Sequence, residues 1–200
     1  MDNAGFGNMI ECIAYNNTVT GFSMELGHLC LRCISDSNSG ASSDGFILID
    51  YSNSLYECVA YNNGRDGFRI EDGANHIQNC LSEDNAGWSY IFTGSSAING
   101  QLVNCGGFTN GGSGETSIAN TAGNRNHNYV TATSTFFVDA ANQDFALNNT
   151  AGGGLDAQGV GFPGVLSIGG TGAIDLGALQ RAGAIGGGSG SVETVVGYIG

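Results

Sequence analysis

Five cysteines, Cys12, Cys33, Cys58, Cys80 and Cys105, stand 21, 25, 22 and 25 residues apart, and an asparagine follows each of them by five positions. Those asparagines are Asn17, Asn38, Asn63, Asn85 and Asn110. Three positions before the cysteines come Met9, Cys30, Leu55, Ile77 and Leu102; two positions after come Ala14, Ser35, Ala60, Ser82 and Gly107. Large, small and polar sites therefore recur in register. A period this short confines the chain to repeat architectures, in which each copy is one supersecondary unit stacked on its neighbour.

The local pattern inside the repeat is that of strands. Gly21-Phe22, Gly45-Phe46, Gly67-Phe68 and Gly87-Trp88 each open a short alternating segment, with Met24, Leu48, Ile70 and Tyr90 two residues beyond the aromatic. Leucine-rich repeats are disfavoured, because their leucine spacing is absent and the asparagine recurs at a bend. The pattern predicts an all-β parallel solenoid of four to five coils over residues 1–112, with coils about 4.8 Å apart. Identical residues then stack. Asn17 to Asn110 should form an amide ladder, and Phe22, Phe46, Phe68 and Trp88 an internal aromatic stack.

Composition agrees with many short strands and tight turns: 35 glycines, one proline and no lysine among 200 residues. A net charge of −13, with five arginines as the only fixed cations, opposes binding to phosphate backbones or anionic lipid. No nucleic acid or membrane partner is expected. No apolar run reaches membrane-spanning length, and "MDNAGFGN" has neither the basic start nor the apolar stretch of a signal peptide.

The stretch "ECVAYNNGRDGFRIEDGANHIQNC" (57–80) resembles the right-handed parallel β-helix repeats of pectate-lyase-like proteins, and the repeat pattern extends that resemblance over roughly residues 3–112. "DFALNNTAGGG", "GFPG" and "AIDLGALQ" look like the segment that follows β-helices in secreted bacterial and bacteriophage-associated proteins, which implies closure of the rod. Residues 113–180 are thus expected to be a polar loop and a closing β segment lying over the last coil. Residues 181–200 are expected to be a glycine-rich connection ending in a strand, "VETVVGYIG", able to pair with another subunit of a homo-oligomer such as a trimer. "DNAGF" at residues 2–6 is a near copy of "DNAGW" at 84–88, with Asn3 only 14 residues before Asn17. That spacing is too short for a full coil, which leaves an abbreviated first coil or a cut edge continuing upstream β-helix coils, and the cut edge is the expectation.

Few residues form a pattern that carries chemistry. Cys30 and Cys33 make a CxxC behind His28, but zinc would need a second pair, and both fall on core positions, so buried free thiols are expected. Glu11, Arg32 and Glu57 form an alternating charge stack. Asp44 and Asp66 share one column, Asp50 and Asp72 another, with Glu71 beside the second; like charges one coil apart make these five the calcium candidates. Glu25 and Glu71 lie two coils apart, about 9.6 Å, near the upper separation for the carboxylates of an inverting glycosidase. Arg65 or Arg69 takes the role of proton-abstracting base only as the lyase resemblance implies it. The catalytic candidates are therefore Glu25, Arg69 and Glu71. His76 and His127 read as loop residues, and Tyr15 and Tyr61 as surface aromatics suited to stacking on sugar rings.

The functional expectation is a carbohydrate-binding, adhesive or structural rod that meets a polysaccharide or cell-surface glycan in an extracellular, cell-surface or virion setting. The alternative is a polysaccharide lyase or glycoside hydrolase acting on an acidic glycan.

Overall fold

A computed structural model describes residues 7–93, 100–111, 118–119, 125–127, 130–160 and 176–178, with the backbone path alone at 118–119 and 125–127. "DNAGF", "GFPG", most of "AIDLGALQ" and the "VETVVGYIG" tail lie outside the described residues.

Each coil contributes three short strands to three parallel sheets. Sheet 1 stacks β1 (Asn8–Ile10), β4 (Leu29–Leu31), β7 (Ser54–Tyr56), β10 (His76–Gln78), β13 (Gln101–Val103) and β16 (Arg125–His127). Sheet 2 stacks β2 (Ile13–Tyr15), β5 (Ile34–Asp36), β8 (Val59–Tyr61), β11 (Leu81–Glu83), β14 (Gly106–Phe108) and β17 (Val130–Thr131). Sheet 3 stacks β3 (Phe22–Met24), β6 (Phe46–Leu48), β9 (Phe68–Ile70), β12 (Tyr90–Phe92) and β15 (Ile118–Ala119). The chain is an all-β parallel solenoid. The only α-helix among the described residues is a single turn, α1 (Gly154–Ala157).

The register places equivalent residues in columns. Met9 pairs with Cys30, Cys30 with Leu55, Leu55 with Ile77, and Ile77 with Leu102, all facing the interior of sheet 1. Inside sheet 2 the column is small: Ala14, Ser35, Ala60, Ser82 and Gly107. The interior is narrow there, and the sheet 3 strands are entered through glycines that touch this column. A Cβ on Gly67 would lie 2.2 Å from the Ser82 hydroxyl, and one on Gly45 would lie 2.8 Å from the Ala60 methyl.

The corners repeat as strictly as the strands. The residue before each cysteine, Glu11, Arg32, Glu57, Asn79 or Asn104, is left-handed, with φ between 47° and 57°. So is the residue before each ladder asparagine: Asn16, Ser37, Asn62, Asp84 or Thr109. Such backbone costs about 1–2 kcal/mol per non-glycine residue. It persists because the corner N–H groups from Glu11 to Asp84 still reach the next coil: Arg32 donates to the Tyr56 carbonyl at 2.9 Å and Asn62 to that of Glu83 at 3.0 Å. The interstrand ladder is carried round the bend.

The asparagine ladder forms as expected. Asn17 Nδ2 donates to Asn38 Oδ1, Asn38 to Asn63, and Asn63 to Asn85, each at 2.8 Å; Asn85 donates to Asn110 at 2.9 Å. The aromatic stack forms with one substitution. Phe22, Phe46, Phe68 and Tyr90 stack at 4.9 Å between centroids, and Tyr90, not Trp88, is the fourth ring. Trp88 sits two residues short of the strand and is half-buried. Gly87 is consumed at the corner, where its missing side chain leaves room for the Asp66 carboxylate 2.3 Å from the Cβ position.

The described part of the closing segment lies against the side of the rod. The antiparallel pair β18 (Phe137–Asp139) and β19 (Asp144–Leu147), joined by a 3-10 turn at Ala140–Asn142, packs on the outer face of sheet 2. Phe136, Phe137, Phe145 and Leu147 form a second core there with Ile34, Val59 and Leu81. One outward row of sheet 2, Ile34, Val59 and Leu81, is apolar, and this segment covers it.

Candidate functional site

No other described element covers the outer faces of sheets 1 and 3, and many of the titratable side chains fall on them or at the corners between them. On the sheet 3 side one expected calcium column, Asp44 with Asp66, and Glu71 beside the other are tied up by arginine. Asp44, fully buried, receives both Nε and a terminal nitrogen of Arg65, the Nε bond at 2.7 Å. Asp66 accepts Arg69 at 3.1 Å and the Trp88 N–H at 2.8 Å. Arg69 turns its Nε to Glu71 at 3.0 Å. Buried carboxylates are tolerable when paired and hydrogen-bonded in this way. Bonding to Asp44 pushes the Arg65 pKa up. Among the described residues no three His, Cys, Asp or Glu side chains are grouped to hold a metal ion.

Asp50 and Asp72 occupy equivalent turns one coil apart. Each carboxylate accepts the next N–H, Tyr51 at 3.0 Å and Gly73 at 2.8 Å. Their carbonyls are held by a second asparagine ladder: Asn53 Nδ2 reaches the Asp50 oxygen at 3.0 Å, and Asn75 Nδ2 the Asp72 oxygen at 2.5 Å. Asn75 Oδ1 also accepts the Asn53 N–H at 2.9 Å. The signal for this ladder was present in the sequence, since Asn53 and Asn75 stand five residues before Cys58 and Cys80. Glu25 and Glu71 do lie in one column, following β3 and β9, but exposed Ile49 occupies the intervening coil. An apolar bulge separates that carboxylate pair.

The corner stack is an ion-pair ladder, with Arg32 3.1 Å from Glu11 and 3.4 Å from Glu57. Glu57 is buried, which raises its pKa against the pull of Arg32. The thiols are free and, apart from Cys12, buried. Burial and neighbouring thiols push Cys30 and Cys80 well up, and Cys33 to about 12. At Cys58 burial is outweighed by hydrogen bonds from Cys30, Cys33 and Cys80, which hold it well down, so slow reaction rests on enclosure, Cys33, Cys58 and Cys80 being fully buried. Native protein treated with iodoacetamide should therefore label at Cys12 while Cys33, Cys58 and Cys80 stay unmodified; rapid labelling of those three would contradict the packing.

His76 is not a loop residue. It begins β10, and inward-facing Ile77, in the column three before the cysteine, marks His76 and Gln78 as outward. His127 likewise ends β16. On this face of sheet 1 the His76 ring lies 5.5 Å from the Tyr56 ring, and its Nε2 is 3.0 Å from Gln78 Oε1. Ser54, Gln101 and Val103 continue the two outward rows, all part-exposed. Tyr61, expected to be a surface aromatic, instead meets Phe137 and Phe145 edge-on at 6.3 and 5.7 Å. Tyr15, in the same row, remains exposed. Sheet 1 thus presents a flat strip of aromatic, imidazole and amide groups that no other described element covers. Comparison with protein-family models, with curated proteins and with solved structures finds no match to this chain.

Proposed function

We propose that this protein is a glycan-binding solenoid rod of the adhesive or structural kind, working at an extracellular, cell-surface or virion surface. The observation that carries the proposal is the Tyr56, His76 and Gln78 cluster on sheet 1. A half-exposed ring offers an apolar face with a polar tip, and fixed amide and imidazole groups beside it match the mixed surface of a sugar. The columnar repeat sets such groups about 4.8 Å apart along the axis, a spacing suited to an extended polymer. Catalysis is the weaker reading. The arginines nearest the acidic columns are engaged in ion pairs, and no groove with free titratable groups surrounds them among the described residues.

Calorimetric titration with neutral and uronate oligosaccharides tests the proposal. Binding is expected for the wild type, and Tyr56→Ala should weaken it about tenfold or more, as loss of a central aromatic contact does. Absence of binding, or an unchanged affinity in Tyr56→Ala, would overturn the proposal. The lyase alternative is read in parallel from ultraviolet absorbance of unsaturated products on pectate and alginate with calcium present. Product formed by the wild type and lost in Asp72→Asn would replace the binding rod with an enzyme.

A further inference from the structure

The outward residues of sheet 2 alternate between an apolar row and a row containing two acids. Asp36, Tyr61 and Glu83 stand in successive coils of the second row. Glu83 is only 2% exposed. Its two oxygens meet groups from the C-terminal segment, the Thr135 hydroxyl at 2.5 Å and the Phe136 N–H at 2.9 Å, across 52 and 53 residues of sequence. The ion pairs among the described residues all lie elsewhere, on Arg32, Arg65 and Arg69.

The groups facing Glu83 supply two hydrogen bonds, from Thr135 and Phe136, but no positive charge among the described residues. From its own strand end comes Asp84, from the coil before comes Tyr61 with Asp36 one coil further, from the coil after comes Phe108, and from the segment come Thr135 and Phe136. None is a cation. A buried carboxylate without a cationic partner is costly, whereas the neutral acid gives up neither contact. Its hydroxyl donates to Thr135 Oγ1, and its carbonyl still accepts the Phe136 N–H.

We infer that Glu83 is a proton-operated latch: the segment around β18 and β19 lies down on sheet 2 while Glu83 is neutral and lifts away as Glu83 ionises. Burial supplies the push, opposed by the Thr135 and Phe136 bonds and reinforced by Asp84, and carries the pKa from an ordinary 4.5 to about 7. The sign follows from linkage. A carboxyl raised in the docked state stabilises docking fully below its undocked pKa, progressively less as pH climbs towards about 7, and no further above it. Release uncovers the apolar row Ile34, Val59 and Leu81 without unwinding the coils, whose contacts are separate from this core.

Hydrogen exchange of the whole chain, corrected for the intrinsic pH dependence of amide exchange, tests the latch. Protection of the Phe136 amide, bonded to Glu83 across the docking contact, should fall about tenfold per pH unit between pH 5 and 7 and level off above. Coil amides such as those of Val59 and Leu81 should show no such slope. Glu83→Gln, which stays neutral, should flatten the slope in the segment by that factor. Asp84→Asn leaves Glu83 in place but removes its nearest like charge, so the levelling point should move to lower pH. A flat wild-type profile, a Glu83→Gln profile with the wild-type slope, or an Asp84→Asn levelling point that does not move would each overturn the latch.

Discussion

Phe46→Ala is expected to destabilise the coils by about 3–5 kcal/mol, the upper range for deletion of a buried aromatic. Phe46 is fully buried and lies between Phe22 and Phe68, with interplanar angles of 9° and 5°. Those rings cannot close the gap. Their 4.9 Å spacing is imposed by backbone bonds between coils, Phe22 N to the Gly45 carbonyl at 3.0 Å and Phe46 N to that of Gly67 at 2.9 Å. The cavity therefore persists, and cavity and transfer terms add. The near-parallel stacking follows from the coil rise, since isolated rings prefer offset or edge-on contacts; area removed from water is the source of its stability. Thermal denaturation should show a fall of about 6–20 °C. Phe22→Ala is the internal comparison: Phe22 is 8% exposed and, among the described residues, stacked on one side only, so its loss should be smaller. Equal losses at the two positions would mean that the rings do not act as a stack.

Asn63→Leu should cost about 3 kcal/mol, because it strands several buried groups at once. Asn63 Oδ1 accepts from Asn38 Nδ2 at 2.8 Å, from the Asn38 N–H at 3.3 Å and from the Ser35 hydroxyl at 3.3 Å. Its Nδ2 donates to Asn85 Oδ1 and to the Ser35 carbonyl. Leucine is near in size and has no hydrogen-bonding groups, so the change isolates the polar term. The same substitution at Asn17, which is exposed and occupies the end of the described ladder, should cost under about 1 kcal/mol. Denaturant titration of the pair measures the difference. A mutant at Asn63 as stable as the wild type would show that the ladder amides contribute nothing beyond shape.

The candidate site was legible in parts. The columns of Asp44 with Asp66, Asp50 with Asp72, and Glu25 with Glu71 follow from counting residues, and each pair occupies equivalent positions in the structure. What counting missed is the direction of long side chains. Arg65 reaches back a coil to Asp44, while Arg69 bridges Asp66 and Glu71 along its own strand. The strip on sheet 1 was available from the column of Ile77, whose inward position requires His76 and Gln78 to face out. Likewise, counting five residues from Asn17, Asn63 and Asn85 arrives at Phe22, Phe68 and Tyr90, which is a better marker than the Gly-Trp pair.

The sequence alone determined the coils. The strand pairings, the asparagine ladder and the ring stack all join equivalent positions one repeat apart, so a spacing of 21 to 25 residues specifies sheets, corners, ladder and core together. Only the tertiary structure decided where the C-terminal segment goes. Its contacts with Glu83 span 52 and 53 residues and occur once, so no periodicity announces them. An outward Ile34, Val59 and Leu81 row looks the same in sequence whether it meets solvent or another element. Burial of that row, and with it the environment that holds Glu83 protonated, exists only once β18 and β19 lie across three coils at the same time.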